Sequence, residues 1–397
     1  MALISVAEAL DHVLAHATPL PPETVPLDAA LHRVLAAELK ALRTQPPADV
    51  SAMDGYAVRS EDLAGFPVSL KLAGESFPGA GWSGVVGGKD CIRIFTGAPL
   101  PEGADRIVIQ EQVRRDGDSA IIDSDPGPAT WVRLRGKDFR AGDEVLHAGR
   151  LLDPAALIAA AGADVAKVEV FARPRLALLA TGDELVELGE ARATALGVPD
   201  SASLGVAALV EQWGGQIVSR TRLRDDLAKM NAAAAAALDY ADVVVVIGGA
   251  SVGERDFAKA MFEPLGLELL FPRVSMRPGK PTWFGRTGDK LVLGLPGNPT
   301  SALVTSRIFL APLLAALQGQ AINQALTWEP ARLATALPPC DLRETFHHAC
   351  LAAGEVAPVG FQESHAQKAL AEADVLVRQP ANSAAIPAGG IVQALRL

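Results

Sequence analysis

A glycine loop between an apolar strand and a helix is the first stretch of this chain whose residues could do chemistry. Ala241 to Phe257 reads ADVVVVIGGASVGERDF. Four valines and Ile247 make a β-branched run of the kind buried on both faces of a sheet. It ends in Gly248-Gly249, and Ser251, Gly253 and Asp256 lead on to an expected helix from Phe257 to Glu263. A strand, a glycine loop and a helix N-terminus together expose unpaired N–H groups that suit an anion. The alternative for this loop alone is a tight strand-to-helix turn. It is no complete phosphate-loop motif, because Glu254-Arg255 stand where Lys-Ser/Thr would be needed.

Two further loops of the same kind occur at expected strand ends, Thr181-Gly182-Asp183-Glu184 and Pro296-Gly297-Asn298-Pro299. Between the second and third loops, Met276-Arg277-Pro278-Gly279-Lys280-Pro281 places two cations in a proline-bounded segment. Three such loops on one sheet edge, with hydroxyls, acids and cations, point to a ligand site rather than to turns alone. Earlier in the chain Asp54-Gly55 forms an expected turn before a strand, and Thr96-Gly97 follows another. Arg133-Leu134-Arg135-Gly136-Lys137-Asp138 sets three cations beside a carboxylate. That cluster suits an anion, or Asp138 is a solvated partner of its neighbours.

The elements that must position these residues follow from pattern. Ser5-Val6-Ala7-Glu8 is a capping box opening a helix to about Ala17, and a second short helix is expected from Asp28 to Ala37. From Phe66 to about His147, short β-prone runs alternate with Gly and Pro, the texture of a small all-β domain. Asp153-Pro154 caps and starts another helix. From Arg175 on, strands alternate with helices. Strands are expected at Leu176–Ala180, Gln216–Leu223, Val243–Ile247, Leu267–Phe271 and Leu291–Leu295. Helices are expected at Ser203–Trp213, at Asp226–Tyr240 with Asp225 as its cap, and from about Pro299 to Leu317. This alternation predicts a parallel, doubly wound sheet, with ligands outside the carboxyl ends of its strands. Short strands and turns from Ala325 to Leu397 predict a small β-barrel. The organisation is multidomain α/β plus β. A helical linking region at 1–44 is joined by 145–173, with a β domain at 45–144, a three-layer doubly wound domain at 174–324 and the barrel at 325–397.

Composition narrows the function. The chain has 397 residues, 49% of them hydrophobic, with a net charge of −10. Such an acidic protein lacks a nucleic-acid footprint, so anionic ligands must be met locally. Met1 to Thr18 carries Glu8 and Asp11 without a cationic start, which is unlike a signal peptide. Three cysteines without metal spacing suit a reduced, cytoplasmic protein.

The motifs SAMDGYAV (51–58), TGAPLPEGAD (96–105), RxRGxD (133–138), TGDEL (181–185), GGASVGERDF (248–257), MRPGKP (276–281) and LPGNPTSAL (295–303) stand in one order. In that order the chain resembles the molybdopterin molybdenumtransferases, the MoeA and gephyrin E-domain family, over nearly its whole length. The resemblance implies insertion of molybdate into adenylylated molybdopterin, giving molybdenum cofactor and AMP with the help of Mg²⁺. It implies catalytic roles for Asp54, Asp138, Glu184 and Asp256, and metal ligation by Glu184, Asp225 and Asp256. It implies substrate contacts from Thr96, Arg133, Thr181, Gly182, Asp183, Gly248, Gly249, Ser251, Gly253, Lys280, Pro296, Gly297, Asn298 and Pro299. Molybdate would suit Arg133, Thr96 and Ser251, and a pyrophosphate would suit the glycine N–H groups and Lys280.

The resemblance further implies a homodimer with composite sites, and supply of substrate by a molybdopterin adenylyltransferase. The sequence departs from the family pattern at Arg277, often Lys, and at Ala202, often Asn. In the last domain His347-His348 stand where an Arg is common after Phe346, and Glu363-Ser364 replace Gly-Ser. Two other readings were open to the sequence. One is a nucleotide amidohydrolase sharing only the α/β domain, which would not need Asp54 or Asp138. The other is a non-enzymatic scaffold, which would not need to keep the acids.

Overall fold

The computed structural model of the chain describes residues 3–249 and 257–397. Ser251, Gly253 and Asp256, and the rest of 250–256, lie outside the described residues. The chain divides into two compact units, one of Thr24–Leu31 and Ala37–Val168, the other holding Glu169–Leu397 with His32–Ala36 and the N-terminal segment to Glu23.

In the second of these units, six strands form one sheet. They are β1 (Arg175–Thr181), β2 (Gln216–Leu223), β3 (Val243–Ile247), β4 (Glu268–Phe271), β5 (Trp283–Thr287) and β6 (Lys290–Leu295), in the order β2-β1-β3-β6-β5-β4. β2, β1, β3 and β6 run parallel. The valine run of β3 sits at their centre and is wholly buried. One face of these strands, with Leu178, Val245 and Leu293, packs on Val206 and Val210 of the helix Ser201–Gln212 and on the core helix from Pro299. The opposite face, with Leu179, Val244 and Val292, packs on Met230, Ala234 and Ala237 of the helix Leu227–Tyr240. Burial on both sides explains why the run is continuous rather than alternating.

The expected all-parallel sheet is corrected at one edge. β5, absent from the sequence reading, is joined to β6 by Gly288-Asp289 alone, and the pair is antiparallel, as is β4 with β5. Two residues can turn a hairpin but cannot carry a parallel crossover. The cap of the helix Leu227–Tyr240 is also corrected. It is Asp226, whose carboxylate accepts the Lys229 N–H at 3.2 Å, and not Asp225. The first helix, Val6–Ala15, carries the capping box of Ser5 and Glu8. The expected helix Asp28–Ala37 is only the 3-10 turn Leu27–Ala29. His32 takes a left-handed backbone that ends any helix there, and Leu35 bridges antiparallel to Val170.

The core helix runs from Pro299 to Leu317 through a π turn at Ser306–Leu310. It is long and apolar enough to cross a bilayer, but 89% of its apolar window is buried inside this unit, as a core helix must be. Arg307 on it is buried, and burial pushes its guanidinium down to about 10. The cost is offset by bonds to the carbonyls of Arg396 (2.7 Å) and Ala325 (2.8 Å), and by stacking on Trp213. This tie fixes the sheet domain to the C-terminal barrel. There, Glu329–Leu333, Glu344–Ala352, Glu355–Pro358, Val375–Gln379 and Ile391–Arg396 close into a five-stranded ring around Leu333, Val356 and Val377. Met276–Arg277 pairs in parallel with Glu344–Thr345, which brings the cation loop to the barrel.

In the other unit, a six-stranded sheet has the order Arg106–Ile109, Gly55–Val58, Asp90–Ile94, Val68–Ser76, Ser119–Ile122, Arg114–Asp116. Alternate residues serve two cores, Tyr56 and Val58 one, Ala57 with Ile92 and Ile94 the other. Cys91 lies in the first, where burial pushes its thiol up to about 12, so it is packing rather than a nucleophile.

Gly294, opposite Trp283 on β5, tests the hairpin edge of the sheet. A β-carbon there would lie 1.8 Å from Trp283 Nε1, inside a fully buried indole. Gly294→Ala is expected to lower unfolding free energy by about 1–3 kcal/mol, the cost of overpacking a filled core. Urea denaturation with an unchanged midpoint would show that the indole is not seated there.

Candidate active site

The three loops at the parallel strand ends meet as the sequence reading expects, and their backbones do so at closer range than side chains allow. Gly248 ends β3 at φ +98°, its N–H donating to the Leu295 carbonyl at 3.1 Å. A β-carbon on it would stand 2.5 Å from the Thr181 carbonyl oxygen. On the other side, a β-carbon on Gly297 would stand 3.3 Å from the Gly248 α-carbon. The Thr181 hydroxyl donates to the Ile247 carbonyl at 3.5 Å, closing the same junction.

Above this junction lies a cavity of about 570 Å³. Its walls hold Thr181, Glu184, Gly248, Gly249 and the whole of Pro296–Pro299. Asp200 and Ser201, which sequence reasoning did not choose, complete one side. Asp200 is buried and caps its helix, accepting from the Ser203 N–H at 3.1 Å and from the Ser203 hydroxyl. The signal for it was an aspartate before a helix, which reads as a cap and gives no hint of a cavity. Asp183 and Asp225 stay outside the wall. Asp183 Oδ1 accepts the Asp225 N–H at 3.2 Å, so one carboxylate orders the loop that carries the other.

A second cavity, of about 380 Å³, shares Pro281, Pro296 and Asn298 with the first. Arg277 and Lys280 come to it from the cation loop, and Arg343 from the barrel. Arg343 is held by Asp341, which accepts its backbone N–H at 3.0 Å and its Nη2 at 3.2 Å. Those donors keep the Asp341 carboxyl below the usual carboxylate range. Glu363 is the carboxylate of this wall. His347 and His348 do not supply its missing charge. Both are buried, which pushes both imidazoles down; His347 meets the Gln379 side chain at 2.8 Å and His348 the Phe361 carbonyl at 3.0 Å. Three cations against one carboxylate leave the lining positive and suited to an oxyanion.

The unit containing Ala37–Val168 has a cleft of its own, of about 770 Å³, in whose walls stand Arg43, Arg133, Lys137 and Asp138. Arg135 is spent on structure, its N–H on Asp49 Oδ1 at 2.7 Å and its Nε on the Pro47 carbonyl at 3.1 Å. Asp138 stands in the same wall as Arg133 and Lys137. Asp54 and Thr96 form a bonded pair. Asp54 Oδ1 accepts the Thr96 N–H at 2.7 Å and the Thr96 hydroxyl at 2.8 Å.

Comparison with known proteins gives one answer along the chain. A family model for the MoeA N-terminal region (domain I and II) matches residues 4–163, one for a probable molybdopterin binding domain matches 177–316, and one for the MoeA C-terminal region (domain IV) matches 330–397. A Haemophilus influenzae protein named molybdopterin molybdenumtransferase is 35% identical over 372 residues, covering 90% of each chain. One of that name from a Nostoc species is 36% identical over 78% of this chain and 71% of its own. The crystal structure of a molybdopterin biosynthesis moeA protein from Pyrococcus horikoshii superposes with a TM-score of 0.87 at 25% identity, covering the whole of both chains.

The Thr96 donors, first the backbone N–H and then the hydroxyl, hold the Asp54 carboxyl below the ordinary value. Stabilisation of that kind is present above the unfolded pKa and is lost as pH falls through the depressed one. Thr96→Val removes the hydroxyl and keeps the N–H. NMR titration is expected to show the Asp54 carboxyl ionising at lower pH than a free aspartate, and moving up in the variant. Coincident titrations would dissolve the pair.

Proposed function

The chain belongs to the MoeA family of molybdopterin molybdenumtransferases, and on that premise we propose that it inserts molybdate into adenylylated molybdopterin and releases AMP. The observation that carries this reading is the pair of adjoining cavities in one unit, one glycine-walled and one cationic, with a common wall at Pro281, Pro296 and Asn298. A pterin-linked nucleotide and an oxyanion are two ligands that must meet, and two cavities with a shared wall suit that requirement.

In the first cavity, the tight turns at Gly248 and Gly297 let the main chain approach a phosphate without a side chain between; the Gly248 N–H itself is committed to the Leu295 carbonyl. Asp200, held by the two bonds it accepts from Ser203, is a fixed acceptor in its wall. In the second, Arg277, Lys280 and Arg343 hold molybdate by charge, in place of the Arg133, Thr96 and Ser251 suggested by the resemblance. Lys280 moves from the pyrophosphate to the oxyanion, and the Asp341 bond keeps one guanidinium from folding away. Pro296 and Pro299 stiffen the loop between the two ligands.

Magnesium belongs to the proposal. Among the described residues no three His, Cys, Asp or Glu side chains are grouped to hold a metal alone. A hydrated Mg²⁺ on a phosphate asks for less, one or two carboxylates. Glu184 in the wall and Asp225 in the next loop are carboxylates of that kind, and Mg²⁺ would supply charge neutralisation of the leaving AMP. The homodimer and the supply of substrate by a molybdopterin adenylyltransferase are part of the same proposal and rest on the resemblance alone; the cytoplasmic location rests on the cysteine usage.

Purified protein given adenylylated molybdopterin should release AMP only when molybdate and Mg²⁺ are both present. Release that persists in excess chelator would remove the metal role of Glu184 and Asp225. Lys280→Ala should raise the molybdate concentration for half-maximal release by roughly 10–150-fold at low salt, the worth of a charge-assisted bond. The loss should shrink as salt rises. An unchanged requirement would take Lys280 out of the oxyanion site.

A further inference from the structure

The C-terminal barrel sends one segment, Gln362 to Gln367, into both cavities. His365 and Gln367 stand in the wall of the glycine cavity, Gln362, Glu363 and Ser364 in that of the cation cavity. Its two attachments are of different kinds. At the base, Gln362 is stapled to the barrel. Its Oε1 accepts the His348 N–H at 3.1 Å, and its Nε2 donates to the carbonyls of His348 (3.0 Å) and Val359 (2.9 Å). The His348 imidazole adds its bond to the Phe361 carbonyl, and all four bonds are partly buried.

Over the sheet domain the segment makes two side-chain bonds in exposed positions, and at Gln367 it runs into the short helix Gln367–Ala371, which packs on Pro299–Thr305. Asn298 Nδ2 donates to Ser364 Oγ at 2.8 Å, and Ser201 Oγ donates to Gln367 Oε1 at 3.3 Å. Water competes for such bonds, so they give way before the buried staple does. The two partners on the sheet domain come from different loops, Ser201 from the start of its helix and Asn298 from the turn after β6.

We propose that Ser364 and Gln367 are positioning residues that latch Gln362–Gln367 as a strap over both cavities, and that opening of the latch gates ligand entry and product exit. The proposal rests on the two-cavity reading above and assigns a moving part to it. One opening uncovers both cavities, because adjacent strap residues belong to different walls. The latch also fixes the orientation of the Asn298 amide, with one Nδ2 hydrogen on Ser364 and the other, together with Oδ1, left for the ligand.

Hydrogen exchange and stopped-flow binding test this together on full-length protein. In ligand-free Ser364→Ala/Gln367→Ala protein, the amides of 361–367 are expected to exchange roughly five- to tenfold faster per lost bond, while those of Val375–Gln379 in the barrel keep their protection. Association and dissociation rate constants for adenylylated molybdopterin should both rise. Gln367→Glu keeps an acceptor for Ser201, and Ser364→Thr keeps the hydroxyl for Asn298, so both should keep wild-type exchange at 361–367. Exchange at 361–367 equal to wild type in the double variant would overturn the latch. Faster exchange with both rate constants unchanged would overturn the gate. Wild-type protein that fails to bind adenylylated molybdopterin would instead refute the functional reading, with the exchange experiment still deciding the latch.

Discussion

The site depends on backbones meeting where no side chain fits. Gly248 lies between the Thr181 carbonyl and Gly297, with a β-carbon position 2.5 Å from the former. Any other residue there would push the first and second loops apart, at the cost of both the contact and a φ that suits only glycine. Because the junction is tight, the loops are held by the sheet itself rather than by their own contacts. The parallel register of β1, β3 and β6 sets where they end, and burial of the valine run on both faces sets the register.

Upon that junction the chain divides its chemistry by charge. The glycine cavity is walled by backbone, prolines and two carboxylates, and the adjoining cavity by three cations and one. An acidic protein of net charge −10 thus gathers positive charge in this cavity, as it does in the cleft of Arg43, Arg133 and Lys137. The barrel makes this possible. It contributes Arg343, and its parallel pairing with Met276–Arg277 holds the cation loop in place. Arg307 anchors the barrel to the core helix through the Arg396 carbonyl and holds the intervening helix Ile322–Ala325 through the Ala325 carbonyl, so the cationic wall is built from two domains tied as one.

Much of this was legible in the sequence. The strand and loop at Val243–Gly249, the cation loop, Pro296–Pro299 and the closed barrel could be placed from apolar runs, glycines and prolines, since each is fixed by local backbone demands. What could not be placed depended on contacts between distant segments. Asp200 reads as a cap, and only the fold turns its helix end toward a cavity. Arg343 has no motif of its own, and its place follows from strand pairing across domains. β5 was missed because Trp283–Thr287 is short and broken by Gly285. The misjudged helix at 28–37 has helical composition, but its Leu35 is claimed by a bridge to Val170, so tertiary pairing overrode propensity.

Molybdate is proposed to be held by Arg277, Lys280 and Arg343 beside the glycine cavity. Crystals of the protein soaked with tungstate, a heavy stand-in for molybdate, would locate the anion by its anomalous scattering. A peak is expected within bonding reach of those three cations, next to Pro281 and Asn298. A peak in the cleft of Arg43, Arg133 and Lys137, with none in the cationic cavity, would contradict it.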